Sequence, residues 1–156
     1  MKKNMKNQKG FSLVELLVVV IIIGIIAAIA IPSLLRSRVA ANEASAISSL
    51  RTIHSAEVTY LATLGNNSVY SDLTGLSGAQ LLDPTFTGAS FTKSGYTIAE
   101  SVVATTFDGY CASAEPSGSN GVRLFGINQN GVIYQGVAAG ACSAGVLDTT
   151  GGTPIQ

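Results

Sequence analysis

The chain has no tryptophan, one histidine and two cysteines, and only 12% of its 156 residues are charged. A single histidine, His54, excludes a histidine-based metal cluster within one chain. No glycine-rich loop ending in Lys-Ser/Thr is present, which excludes the common ATP-cradling loop. HExxH, CxxC and Gly-x-Ser-x-Gly are also missing, and the many serines lack the one histidine in any plausible triad arrangement. These gaps argue against an enzyme and imply no cofactor and no metal. The remaining composition, rich in Ser, Thr, Gly and Ala beyond the first helix, suits a small extracellular β-rich head.

What is present is unevenly placed. Lys2, Lys3, Lys6 and Lys9 supply four of the nine basic residues, all within a hydrophilic leader, residues 1–10. Phe11 to Ile31 then gives 21 residues, about 31 Å as a helix and close to the ~30 Å hydrocarbon core of a bilayer. From Leu16 to Ile31 no side chain is polar. The basic leader stays in the cytoplasm by the positive-inside rule, and the C-terminal bulk crosses. Inside this apolar segment stands Glu15. An ionised carboxylate there costs roughly 2.5–3.5 kcal/mol at a helix centre and less toward the interface. Glu15 therefore reads as a functional residue awaiting a positive partner. Two plainer readings are a cleaved secretory signal, for which Ala28-Ile29-Ala30 has the small-x-small pattern, and a simple anchor. Both leave Glu15 without a purpose.

Lys9-Gly10-Phe11-Ser12-Leu13-Val14-Glu15-Leu16-Leu17 resembles the class III signal of type IV prepilins and related pseudopilins, and the likeness extends over residues 9–35. The resemblance implies cleavage between Gly10 and Phe11 by a prepilin peptidase and N-methylation of Phe11. It also implies that Glu15 of one subunit meets the Phe11 amine of another, which sets the register of a helical homopolymer. Opposite charges attract strongly in a low-dielectric setting, and a head-to-tail contact of this kind builds an open helix. Gly24 and Pro32 match family positions too. Both weaken a helix, so the segment between them is the expected place for a kink or local unwinding on assembly. After cleavage five bases face nine acids, a net charge of −4. That sign argues against non-specific nucleic-acid binding by the mature form and leaves nucleic acid unsupported as a partner.

The expected organisation is α+β: a leader over 1–10, an N-terminal helix over 11–64 with 11–31 as its transmembrane and filament-core half, a connecting αβ-loop over 65–94, and a β head over 95–156. Gly65-Asn66-Asn67 is the expected helix stop. Ile47, Leu50, Ile53, Val58, Leu61 and Leu64 form the face expected to pack on a sheet. His54 and Glu57, spaced i, i+3, read as a hydrogen-bonded structural pair or a subunit contact. Strands are expected at 96–99, 101–105, 110–114, 122–127 and 132–134, joined into a four-stranded antiparallel sheet, with a reversal at Asn128-Gln129-Asn130-Gly131. Residues 148–156 read as frayed. In an oxidising compartment Cys111 and Cys142 are expected to pair, with two buried free thiols as the alternative. Their pairing also resembles the disulfide-bounded region of many pilins. Asn66-Asn67-Ser68 matches a glycosylation acceptor by pattern alone, and the aromatics of the long helix, Phe11 and Tyr60, make no continuous ladder for electron conduction.

Three functions follow. The first is a type IV pilus subunit serving adhesion, twitching motility or DNA uptake, made as an inner-membrane precursor and displayed as a surface filament. Its implied partners are copies of itself, the prepilin peptidase, and a membrane assembly platform with its ATPase. The second is a pseudopilin of a type II secretion system. The family's major pseudopilin carries an acidic calcium loop and a Trp motif, whereas this chain has no Trp and Asp148 lacks acidic neighbours. The third, of another class, is a monomeric membrane-anchored binding domain.

Overall fold

A computed structural model describes residues 10–86, 88–103, 106 and 108–155. The leader, apart from Gly10, lies outside the described residues, as do Ala104, Thr105 and Gln156. Two units are distinguished, Met1–Ser37 and Arg38–Gln156, with helix α1 (Leu13–Thr63) running through both.

In the first unit α1 is rich in β-branched Val and Ile, which are modest helix formers in water. In lipid a helix satisfies every backbone group internally, so the same residues favour it there. α1 continues unbroken through Gly24 and Pro32. At its far end Asn66 takes a left-handed conformation, φ 51°, and the Asn67 amide donates to the Leu61 carbonyl at 2.9 Å. The Gly65 amide donates to the Tyr60 carbonyl at 2.8 Å, the six-to-one bond of a helix end, and the left-handed Asn66 and Asn67 turn the chain away beyond it.

In the second unit the rest of α1 packs on a six-stranded antiparallel sheet. Its strands are β1 (Ser90–Lys93), β2 (Tyr96–Val102), β3 (Tyr110–Pro116), β4 (Phe125–Asn128), β5 (Ile133–Gln135) and β8 (Thr153–Ile155), in the order β1-β2-β3-β4-β5-β8. A short hairpin, β6 (Cys142–Ser143) and β7 (Val146–Leu147), forms a second sheet. The sheet is thus wider than the four strands expected. β1 falls within the stretch read as connector, which also holds the short helix α2 (Leu73–Gly78). Stretches 96–99 and 101–105 merge through Val102 into one strand, since Glu100 continues the pairing opposite Ala112. The tail read as frayed supplies β8, with Ile155 opposite Ile133. Pro154 lacks an amide and is tolerated because β8 is an edge strand.

The sheet's two faces are covered differently. Ala112, Ala114, Phe125 and Ile127 join Leu50 and Ile53 of α1 in the main core. Val58 and Leu64, expected on that face, are exposed; small Ala46 and Ala56 take the contact instead, allowing close approach. On the opposite face Cys111, Val137, Ala141 and Leu147 form a second cluster. Gly126 makes room for it: a Cβ there would meet Leu147 Cδ1 at 2.6 Å.

Glu43 fastens α1 to the sheet from within. It is 5% exposed. Its carboxylate accepts from the backbone amides of Val122 and Arg123, each at 3.3 Å, and from Arg123 Nε at 2.9 Å and Nη2 at 2.5 Å. Burial works to raise the Glu43 pKa, but the Arg123 guanidinium and the two amides outweigh it and hold the group below its ordinary value. Such a carboxylate stabilises the head above the unfolded-state pKa, about 4.3, and the gain is lost as pH falls through the folded value. Arg123→Ala is expected to cost about 1–2 kcal/mol at neutral pH, a charged hydrogen bond discounted for the half-exposed guanidinium. It should also flatten the acid limb of a thermal-stability profile.

Candidate functional site

The first turn of α1 concentrates the residues singled out in the sequence. Gly10 and Phe11 precede the helix, and Phe11 is 90% exposed. Ser12 is its N-terminal cap: Ser12 Oγ accepts from the Val14 amide at 3.3 Å, and the Ser12 amide donates to Glu15 Oε2 at 2.9 Å. This reciprocal arrangement is a form of capping box, whose Ser-x-x-Glu signature is legible in Ser12-Leu13-Val14-Glu15. Glu15 thus has a role inside its own chain. The bond to Ser12 engages one carboxylate oxygen and orients the group; no donor to the other is found among the described residues. An anion here also faces the positive end of the helix dipole. Phe11, Val14, Glu15, Val18 and Val19 lie together on one side.

Beyond this turn the surface is apolar all round. Every Leu, Val and Ile from Leu13 to Leu35 is between 49% and 81% exposed. α1 is long and apolar enough to cross a membrane, and its most apolar stretch has no buried residue. A soluble protein rarely leaves a contiguous apolar surface of this extent unpartnered. Gly24 widens it locally, since nothing lies within 4 Å of where its Cβ would be. Pro32, one turn after Ala28, offers no amide to that residue's carbonyl, so one ladder bond is missing where the helix still runs on.

In the head, Cys111 and Cys142 form a disulfide with Cα atoms 5.5 Å apart, tying β6 to β3. His54 and Glu57 do not pair with each other. His54 Nδ1 hydrogen-bonds the Tyr110 hydroxyl, while Glu57 Oε2 accepts from the Ser71 amide at 3.1 Å. Glu57, 0% exposed, is a structural link inside the head, and His54 is half-buried. Among the described residues, no three His, Cys, Asp or Glu side chains gather closely enough to hold a metal ion.

Residues 5–31 match the family model described as the prokaryotic N-terminal methylation motif. The chain is 34% identical over 114 residues to the type IV wide pilus major component PilA4 of Thermus thermophilus, covering 73% of this chain and 78% of that one. It is 37% identical over 68 residues to the type II secretion system core protein G of Vibrio cholerae, 44% of each chain. Over 71 residues it is 32% identical to the type IV major pilin PilA of Myxococcus xanthus, 46% of this chain and 32% of that one. No solved structure matches the chain significantly. The match to PilA4 runs past the helix into the head, and a long helix with a small antiparallel sheet agrees with the pilin α+β fold: this chain belongs to the type IV pilin and pseudopilin family.

Proposed function

We propose that the chain is a structural subunit of a type IV pilus, not a catalyst. It is made as a membrane-anchored precursor, cut between Gly10 and Phe11 by a prepilin peptidase, methylated at Phe11, and polymerised through residues 11–35. The observation that carries this reading is the uncovered apolar half of α1 with a single carboxylate in its first turn. Lipid covers that surface before assembly, and identical helices replace lipid in the filament. Cleavage frees the amine of Phe11 four residues from Glu15. The freed amine of one copy then meets the unengaged oxygen of Glu15 on another. An assembly platform and its ATPase supply the work of extraction, and the filament stands at the cell surface.

The pseudopilin reading draws on the core protein G match, which extends over less of the chain than the PilA4 match does. Asp148, the acid nearest the C-terminus, accepts from the Thr150 amide at 2.9 Å and so closes its own turn. Mass spectrometry of sheared surface fibres tests the proposal. A major species beginning at methylated Phe11 is expected. Fibres without this chain, or a chain retaining its first ten residues, would refute it.

A further inference from the structure

α1 carries two carboxylates into the head, and among the described residues only one meets a counter-charge. Glu43 has Arg123. Glu57 is fully buried and has a single donor, the Ser71 amide on Oε2. Its Oε1 and both carboxyl oxygens of Glu100, on β2, are buried with no donor. The two side chains nevertheless lie within hydrogen-bonding reach of each other. Two carboxylates have no proton to share, so a bond between them requires that one be an acid.

The surrounding groups leave no other remedy. Tyr110 of β3 spends its hydroxyl on His54 Nδ1. Tyr70 lies against the Tyr110 ring, with centroids 5.0 Å apart. Asp72 caps α2 through the Gly75 amide at 2.7 Å and adds negative charge. Burial favours the neutral form of His54. Among the described groups that act on the pair, none supplies a positive charge. Two ionised carboxylates here would repel each other and strand three buried acceptors.

We propose that Glu57 and Glu100 are a shared-proton carboxyl pair that fastens α1 to β2 and, through Ser71, to the chain leading into α2, so that the head is stable in acid and loosens in alkali. The protonated member donates to an oxygen of the other, and both gain a partner at once. Burial is the main influence pushing both groups above the ordinary carboxylate range; the charge of Asp72 adds to it, and for Glu100 so does that of Glu57. Each folded-state pKa exceeds the unfolded one. The contribution is therefore complete below about 4.3 and is lost as pH rises through the folded values. Its slope is opposite in sign to that of the Glu43–Arg123 pair. The inference concerns the head alone and is independent of filament assembly.

The test uses the full chain, disulfide intact, in detergent micelles. The melting temperature of the native chain is expected to fall steadily from about pH 5 to about pH 9. Glu100→Gln and Glu57→Gln each leave a neutral donor in place of the shared proton. Each should reduce that slope by about half or more and melt no lower than the native chain at the alkaline end. Infrared spectroscopy of the native chain gives a second readout that does not depend on any variant folding. A carboxylic-acid carbonyl band should persist at neutral pH and vanish reversibly as pH is raised. A native melting temperature that is flat or rises over that range, or a spectrum with no acid band at neutral pH, overturns the proposal.

Discussion

Glu15→Gln is expected to abolish fibre assembly while leaving the chain inserted in the membrane and cut at Gly10. Glutamine is chosen because the first turn of α1 uses Glu15 in two ways. In the single chain its carboxylate closes a capping box with Ser12. Glutamine performs that role nearly as well, so the helix start survives and circular dichroism should not change. What glutamine lacks is the charge that would meet the Phe11 amine of another copy. Removing one member of an ion pair in a low-dielectric setting costs about 3–5 kcal/mol. That weakens each addition step by about two to four orders of magnitude. Polymerisation repeats the loss at every subunit, so sheared fibres should fall below detection. Glu15→Asp keeps the charge on a shorter stem and should retain part of the yield. If Glu15→Gln assembles normally and Glu15→Ala does not, the residue matters for the cap and not for docking.

Cys142→Ser has the second largest expected effect, this time on the head. The bridge to Cys111 spans 31 residues of sequence, and opening such a loop costs about 3–4 kcal/mol in the chain-entropy model. For a head of this size that is about 10–20 °C in melting temperature. The reason for so large a share lies in what the bridge holds. β6 and β7 pair over two residues each, too few to persist alone. Without the bond, Val137, Ala141 and Leu147 lose their seat beneath Cys111, and the far face of the sheet opens to water. Cys111→Ser should be as damaging, and the double variant no worse than either. Equal melting temperatures with and without reductant would contradict this assignment.

Local chemistry made parts of this architecture readable in advance. The apolar run from Leu16 to Ile31 and the Asn66 stop each depend on neighbours within a turn or two. So does the reversal at Asn128–Gly131, where the Gly131 amide donates to the Asn128 carbonyl at 2.9 Å. The parts that escaped depend on residues far apart. β1 and β8 are three to four residues long, and one contains a proline. Only a partner strand makes them strands. Glu43 reaches Arg123 across 80 residues and Glu57 reaches toward Glu100 across the helix–sheet interface. Periodicity places such glutamates as blemishes on an apolar face and cannot say what faces them. The Ser12–Glu15 box is different. Its pattern is local and complete, so the role of Glu15 within one chain is legible in Ser12-Leu13-Val14-Glu15 alone.

Electron microscopy of the sheared fibres, carried to side-chain detail, puts the account at most direct risk. It predicts that residues 11–35 of neighbouring copies pack together along the fibre axis, with the Glu15 carboxylate of one copy beside the methylated Phe11 amine of another. A fibre held together by its heads alone, with those helices apart or Glu15 facing solvent, would contradict it.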